Sequence, residues 1–331
     1  MRIFVVAGMV ASAVLAAGCG SSASRSSGDA AGPGSSGSTH LTVGVSSSTA
    51  SAAVYLAEQK KYFADNGLDV DLQTIQSGAD AVPRLLNGSL DIALGDAVGS
   101  IQAAANKVPL QVVGVATVSP SDPAKDYSAV VARQDVGTGT AALGRKTIAV
   151  NQINGVAELT LKAAVDAQGG DSKTLKFVEL PFPQMSATVK AGRVDAALVT
   201  EPYLTESRST GLRTVLAPQA YGVAGLPSTI FVASSSYAAK HSRAVAAFTR
   251  AVSAAAKNAN ADPATARSAA ATYTQLGPAT LKVIKMPVFA EQAGDDSGMT
   301  KMLALMNKYQ MLSRQPDIKA LLGTGQGTGT S

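Results

Sequence analysis

Short apolar runs and helix-spaced apolar positions alternate along residues 41–115. Apolar runs of about four to eight residues predict buried strands, whereas apolar residues three and four positions apart predict helices. The helix after the second strand is expected to begin near Asp80, because Pro83 is tolerated only in a first turn. The pattern predicts strands at 41–45, 68–75, 91–94 and 110–115, with helices at 52–64, 80–86 and 96–105 between them. This alternation predicts a parallel sheet with right-handed crossovers.

The same alternation begins again after a turn-rich break at 120–126. A connecting strand is predicted at 127–133, and the unit that follows has strands at 146–150, 176–180, 195–199 and 213–216 with helices at 156–168, 184–191 and 202–209. A further strand at 227–234 precedes a mostly helical segment, with helices at 244–258, 263–273, 278–284 and 298–309. We therefore expect two α/β lobes, lobe one formed by 41–122 and 228–322, and lobe two by 123–227.

One stretch occurs in both predicted lobes. Residues 85–96 read LLNGSLDIALGD, and residues 189–201 read VKAGRVDAALVTE. In each, a glycine ends a helix, an apolar strand follows, and the strand ends in a carboxylate, Asp96 or Glu201. Ligands of open α/β sheets bind outside the carboxyl ends of the strands. The two carboxylates are therefore expected to face each other across a cleft between the lobes, although short helix–glycine–strand units also recur by chance.

The N-terminal 18 residues have the pattern of a signal peptide. Arg2 gives a positive start, residues 3–15 are apolar, and Ala16-Ala17-Gly18 precedes Cys19. The apolar run is too short to span a membrane. This is similar to the bacterial lipoprotein box, in which the cysteine becomes the lipidated first residue, although the usual leucine lies one place early. An ordinary secretory signal cut nearby is the alternative.

Composition narrows the classes of function. The 331 residues carry 28 basic and 23 acidic side chains without a basic run, so nucleic-acid binding has no electrostatic footprint. Cys19 is the only cysteine, and no Cys/His/carboxylate cluster has the spacing of metal ligands, so neither a metal nor a cofactor is expected. Ser, Gly and Ala dominate 19–40, which predicts a flexible tether, and 323–331 is expected to be a disordered tail.

Four segments occur in the order found in one family. They are YLAEQKKYFADNGLDVDL, LLNGSLDIALGD, LGRKTIAVNQINGVAELTLKAAV and VKAGRVDAALVTEPY. Over roughly 41–247 the chain resembles the extracytoplasmic solute-binding proteins of ABC importers, in the subgroup for nitrate, taurine, aliphatic sulfonates and thiamine precursors. The resemblance implies a type II periplasmic-binding-protein fold, with two α/β lobes, two hinge crossings and a ligand cleft between the lobes.

The resemblance also implies a mechanism and partners. A small-molecule ligand would close the lobes about the hinge, and the closed protein would dock on a permease that works with its ATPase. The chain is expected as an extracytoplasmic monomer held at the cell membrane through lipid on Cys19.

Small polar residues follow the predicted strands. Ser46, Ser47, Ser48 and Thr49 come after the first strand, where hydroxyl and backbone N–H groups would suit a polar or anionic head group. Ser77 and Gly78 repeat this arrangement after the second strand. Helix capping by one hydroxyl is the alternative at both positions.

The corresponding loop of lobe two contains Asn151, Asn154 and Gly155. In the resembled family this loop carries small hydroxyl or glycine residues, and Asn154-Gly155 replaces the commoner Gly-Ser or Ser-Ser pair. Asp96 and Glu201 would suit an amine, amidine or hydroxyl on the ligand, or would cap helices instead. Glu201 also fits the acidic-Pro-Tyr pattern of the family.

The expected function is binding of a small polar solute that contains nitrogen or sulfur, such as a sulfonate, taurine, nitrate or a pyrimidine precursor. A surface sensory or ligand-presenting lipoprotein of the same fold is the alternative. A related enzyme, a pyrimidine-precursor synthase, would need reactive His and Cys residues in the folded body, and the only cysteine, Cys19, lies before that body. We therefore expect no catalytic residues.

Overall fold

The protein contains two mixed sheets, each with parallel and antiparallel strands and with helices on both faces. The computed structural model describes residues 38–76, 78–292 and 296–324. The described strands are β1 (Thr39–Val45), β2 (Leu68–Thr74), β3 (Ile92–Asp96), β4 (Leu110–Val118), β5 (Ser128–Ala132), β6 (Thr147–Val150), β7 (Lys176–Glu179), β8 (Ala196–Thr200), β9 (Arg213–Leu216), β10 (Pro227–Ser234) and β11 (Val288–Phe289).

The α-helices that separate these strands shield the sheets from water. They are α1 (Ala52–Gln59), α2 (Tyr62–Asp65), α3 (Gly78–Leu86), α4 (Ala97–Ala105), α5 (Val156–Ala167), α6 (Phe182–Lys190), α7 (Tyr203–Ser209), α8 (Pro218–Gly222), α9 (Ser235–Lys240), α10 (Ser242–Ala261), α11 (Pro263–Ala270), α12 (Pro278–Val283), α13 (Asp296–Lys308) and α14 (Ile318–Leu322). No helix in the described ranges is long and apolar enough to cross a membrane.

The two sheets share one strand order. The first runs β2-β1-β3-β10-β4-β11 and the second runs β7-β6-β8-β5-β9. In each, the second, first and third strands of a βαβ series are parallel, and one antiparallel strand from elsewhere in the chain lies beside the third. Those antiparallel strands are β10 and β5. The two α/β lobes and their topology confirm the predicted periplasmic-binding-protein fold.

Two crossings connect the sheets, because the chain leaves the first sheet after β4 and returns to it at β10. The crossings are hydrogen-bonded to each other: the Ser119 N–H donates to the Leu226 carbonyl at 2.9 Å, and the Gly225 N–H donates to the Ser119 carbonyl at 2.9 Å. The buried carboxylate of Asp126 accepts hydrogen bonds from the backbone N–H groups of Ser128, at 2.9 Å, and of Gln219, at 2.7 Å. One side chain therefore ties the start of β5 to the return crossing.

Separate apolar clusters cover the sheets. Phe248 on α10 is fully buried and packs against the rings of Phe63 and Phe231 on one face of the first sheet. The other face contains α4 and the methionines of α13. Leu159 of α5 is also buried in that cluster, so a helix that follows a strand of the second sheet packs on the first lobe.

Two helices differ from the sequence prediction. The segment predicted as one helix at 52–64 is two, because Lys61 has a left-handed backbone with φ of 62° between them. The helix predicted to begin near Asp80 begins at Gly78, which places Pro83 in its interior. Burial of Ala81 and Leu85 in the core around β3 and α4 offsets the hydrogen bond that proline cannot make.

Candidate functional site

The loop after β1 concentrates hydroxyl groups at the start of a helix. The Ser46 hydroxyl lies 2.9 Å from the Ser48 hydroxyl and 3.3 Å from the Ser51 hydroxyl, and the Ser51 hydroxyl donates to the Ser46 carbonyl at 2.7 Å. Ser47 is exposed. No side chain caps the short 3₁₀ turn that begins at Thr49 or the helix α1 after it. The alternative role of these hydroxyls, helix capping, is therefore not observed at this loop.

The hydroxyl group of Thr49 is buried without a hydrogen-bond partner among the described residues. The whole side chain of this residue is fully buried. A buried hydroxyl without a partner costs about 1–3 kcal/mol, so such groups commonly serve a ligand or a bound water.

The loop after β2 lies partly outside the described residues. Ser77 lies outside the described residues, and Gly78 is the first residue of α3. The prediction that this pair contacts ligand stays a prediction.

Asp96 ends β3 and caps the helix that follows. Its carboxylate accepts a hydrogen bond from the Gly99 N–H at 2.6 Å. Burial raises the pKa of this carboxyl, and the helix N–H groups oppose that shift. On β10, Thr229 lies opposite Asp96, and its hydroxyl is 2.6 Å from the hydroxyl of buried Thr117 on β4. A carboxylate and two hydroxyls thus line the strand ends of the first sheet.

The loop after β6 is shaped by a buried glutamate. Asn154 has a left-handed backbone with φ of 55°, and its N–H donates to the Glu158 carboxylate at 2.8 Å. Glu158 also pairs with Lys162 at 2.5 Å. Gly155 is buried at the start of α5 and no side chain caps that helix, whereas Asn151 is exposed.

This loop also contacts the first lobe. Gln102 on α4 donates from its side-chain amide to the Asn154 carbonyl at 2.8 Å. A cavity of about 440 Å³ lies beside the contact, lined by Gln102, Ala105, Asn106, Ile153, Asn154 and residues 310–313. Asn154 is the one predicted site residue in that lining.

Glu201 ends β8 and is 1% exposed. Its carboxylate accepts from the Thr205 N–H at 3.1 Å and the Thr205 hydroxyl at 3.0 Å, and also from the backbone N–H of Lys285 at 3.4 Å. Burial raises its pKa, and the Thr205 hydrogen bonds oppose the rise. In the described part of the chain no hydrogen bond or ion pair joins Asp96 to Glu201, and each carboxylate binds the helix that follows it.

Some residues at these strand ends were not singled out from the sequence. Thr117 and Thr229 sit inside apolar strands, where an isolated threonine is ordinary in a β-strand. Gln102 and Lys285 meet lobe two through contacts that no local pattern predicts. Position in the chain could have indicated Thr229, because it lies near the start of the strand that was predicted to follow the second crossing.

In this chain, polar loops lie at the carboxyl ends of the strands in two linked α/β lobes. This arrangement is typical of the periplasmic-binding-protein fold. The chain belongs to the NMT1/THI5-like family, whose model matches residues 48–266.

Two curated proteins of similar sequence carry the name of a binding protein. The chain is 27% identical over 201 residues to the formylaminopyrimidine-binding protein of Halalkalibacterium halodurans, covering 60% of this chain and 59% of that protein. It spans about 60% of the length of the curated relatives it matches.

The solved structures that share the fold at low sequence identity include two that are named for their ligands. One is the alkanesulfonate-binding protein SsuA of Xanthomonas axonopodis pv. citri bound to MOPS, with a TM-score of 0.71, 19% identity and coverage of 86% of this chain and 98% of that one. The other is the nitrate-binding protein NrtA of Synechocystis PCC 6803, with a TM-score of 0.64, 16% identity and coverage of 86% and 84%.

Proposed function

We propose that the chain is the solute-binding protein of an ABC importer, which captures a small polar solute containing nitrogen or sulfur between its two lobes. The observation that carries the proposal is a pair of helices, α1 and α5, that begin in polar loops and have no side-chain cap. The loop before α1 follows β1 and the loop before α5 follows β6, so both lie at carboxyl ends of strands, where α/β folds bind ligands. Because a ligand drives closure only by binding the closed form better, it must contact both lobes.

The first lobe is proposed to hold the ligand's acceptor atoms. Ser46, Ser47, Ser48 and Thr49 offer hydroxyls and backbone N–H groups at a helix start, and Thr49 has a buried hydroxyl in need of a partner. Asn151, Asn154 and Gly155 would contact the ligand from the second lobe, and Ser77 and Gly78 would extend the first.

The two strand-end carboxylates have a narrower proposed role. Asp96 and Glu201 already accept N–H groups from their own helices, so a ligand donor would share them rather than find them free. A ligand rich in acceptors, with one donor at most for each carboxylate, suits this arrangement. Sulfonates, taurine, nitrate and formylaminopyrimidines are the ligand classes to test, since the relatives are named for ligands of this kind.

We further propose that lipid on Cys19 holds the protein at the outer face of the cell membrane, where a permease with its ATPase receives the ligand. The prediction for Cys19 lies outside the described residues. Membrane fractionation tests it: wild type should sediment with membranes and Cys19→Ser should not, with Ser22→Ala as the matched control. Equal sedimentation of Cys19→Ser and wild type would contradict the proposed lipid anchor at Cys19.

A thermal-shift panel on the full chain in detergent tests the ligand class. Ethanesulfonate, taurine, nitrate and a formylaminopyrimidine are compared with a neutral sugar and a tripeptide. A ligand at a hundred times its Kd stabilises the native state by about 2.7 kcal/mol, which raises the melting temperature by several degrees. A shift with the sugar or the tripeptide alone would overturn the proposed class. Loss of solute uptake on deleting the gene would favour import over sensing.

A further inference from the structure

The hydroxyl loop after β1 is held from behind by a tyrosine distant in sequence. The phenolic hydroxyl of Tyr273, which follows α11, donates to the Ser48 carbonyl at 2.9 Å. Among the described residues, this is the one hydrogen bond that joins the 46–49 loop to the helical segment after β10. It reaches across 225 positions of the sequence.

The ring of Tyr273 is itself fixed. It stacks on the ring of Tyr55, which lies on α1, with centroids 4.0 Å apart and planes 14° from parallel. Beside the stack, the Gln59 side-chain amide donates to the Thr272 hydroxyl at 3.2 Å. The phenol therefore approaches Ser48 from a position set by α1, the helix that the loop precedes.

This hydrogen bond affects which donors and acceptors of the 46–49 loop can face a ligand. The Ser48 carbonyl accepts hydrogen bonds from the Tyr273 hydroxyl at 2.9 Å and from the Ser51 N–H at 3.2 Å, so the acceptor of that peptide is turned to the protein rather than to the site. The hydroxyls of Ser46 and Ser48 and the unpartnered hydroxyl of Thr49 remain at the start of the helix. Burial raises the pKa of Tyr273, so its phenol stays protonated and keeps donating.

We propose that Tyr273 is a positioning residue of the ligand site, which holds the 46–49 loop so that it offers donors to an acceptor-rich head group. This rests on the proposed function of that loop. The tyrosine acts through Ser48 and selects ligands whose first-lobe end carries oxygen or nitrogen acceptors, such as a sulfonate, a nitrate or a ring carbonyl.

Two variants separate this role from simple packing. Tyr273→Phe keeps the ring stack and removes only the donor. Tyr55→Phe is the matched control, because it keeps the same stack and its hydroxyl makes no hydrogen bond within the described ranges. Both are prepared as the full chain in detergent, and both are expected to melt within a few degrees of wild type.

The first readout needs no ligand. Hydrogen exchange of the backbone amides at 46–52 should be about three- to tenfold faster in Tyr273→Phe than in wild type, as expected for loss of one hydrogen bond, and unchanged in Tyr55→Phe. Equal exchange in the two variants would overturn the proposal.

The second readout is affinity for ethanesulfonate, nitrate and a formylaminopyrimidine, by calorimetry. The Kd of whichever probe binds wild type should rise about three- to tenfold in Tyr273→Phe and stay within twofold in Tyr55→Phe. Faster exchange with unchanged Kd would also overturn the positioning role. Failure of all three probes on wild type would count against the proposed ligand class, and the exchange experiment would then decide the role of Tyr273.

Discussion

Three carboxyl groups have pKa values raised by burial, which predicts a pH dependence of stability. Asp96, Asp126 and Glu201 each have a pKa raised by burial, while nearby N–H and hydroxyl donors oppose the rise. All three lie at strand ends or at a crossing, so their protonation bears on the proposed cleft and on the hinge. A group with a raised folded pKa keeps its proton in the native state at pH values where the unfolded chain has lost it.

The sign of the resulting pH dependence follows from linkage. Between the ordinary carboxyl pKa and the raised folded value, the native state binds more protons than the unfolded state, so the free energy of unfolding falls as pH rises. Glu201→Gln keeps an acceptor for the Thr205 N–H but removes this titration. We expect its unfolding free energy to decline less than that of wild type as pH rises above the ordinary carboxyl pKa of about 4. Urea unfolding at a series of pH values measures the difference.

Glu58→Gln is the control for that measurement, because Glu58 is exposed on α1. It should reproduce the wild-type pH slope. If Glu201→Gln showed the wild-type slope as well, the raised pKa of Glu201 would not be a property of the folded protein.

Strand β1 fits between its neighbours β2 and β3 because of one glycine. An added Cβ at Gly44 would lie 2.9 Å from the Leu90 side chain, 3.1 Å from that of Ile75 and 3.2 Å from that of Ala93. All three side chains are buried, so none can move aside into water. The strand that leads to the hydroxyl loop thus depends on close packing with β3 and the residues around it.

Replacing this glycine should therefore be costly. Gly44→Ala is expected to lower the free energy of unfolding by about 1–3 kcal/mol through overpacking. Gly114→Ala on β4 is the matched control: its added Cβ would lie 3.6 Å from Phe231 and 3.7 Å from Thr249, which are ordinary contacts. Chemical denaturation measures both variants. Equal stabilities for the two would show that the core around β1 adapts at no cost.

The segment around Lys285 contacts both lobes in addition to the two crossings. It leads from α12 to β11 of the first sheet, and α12 also packs on α7 beside the second sheet. The Lys285 N–H donates to Glu201 at 3.4 Å, and the Lys285 ammonium group donates to the Asp126 carbonyl at 3.2 Å. This segment therefore joins the two lobes independently of the two crossings.

Under the proposed hinge closure, loss of the lysine contact should favour the open form of the ligand-free protein. Lys285→Ala removes the bond to Asp126 and is expected to increase the radius of gyration of the ligand-free protein, measured by small-angle scattering. Lys282→Ala is the control, because Lys282 is exposed on α12. A radius unchanged in both variants would mean that the crossings alone set the arrangement of the lobes.

The sequence by itself determined the periodic part of this protein. Strands such as β10 were located from local apolar runs, because backbone pairing and burial leave a period that a short window contains. The alternation of strand and helix then led to two α/β lobes, and the polar loops at the strand ends followed from parallel topology. The break at Lys61 and the interior Pro83 were missed, since packing overrides local preference there.

Only the tertiary structure decided which groups those loops meet. Glu201 accepts a hydrogen bond from Lys285, 84 positions away, and Ser48 accepts one from Tyr273, 225 positions away. Such contacts leave no periodic trace, because a single hydrogen bond constrains two residues and nothing between them. The strand-end carboxylates were visible in the sequence, but their occupation by helix N–H groups, with burial and a raised pKa, exists only once the chain has folded around them.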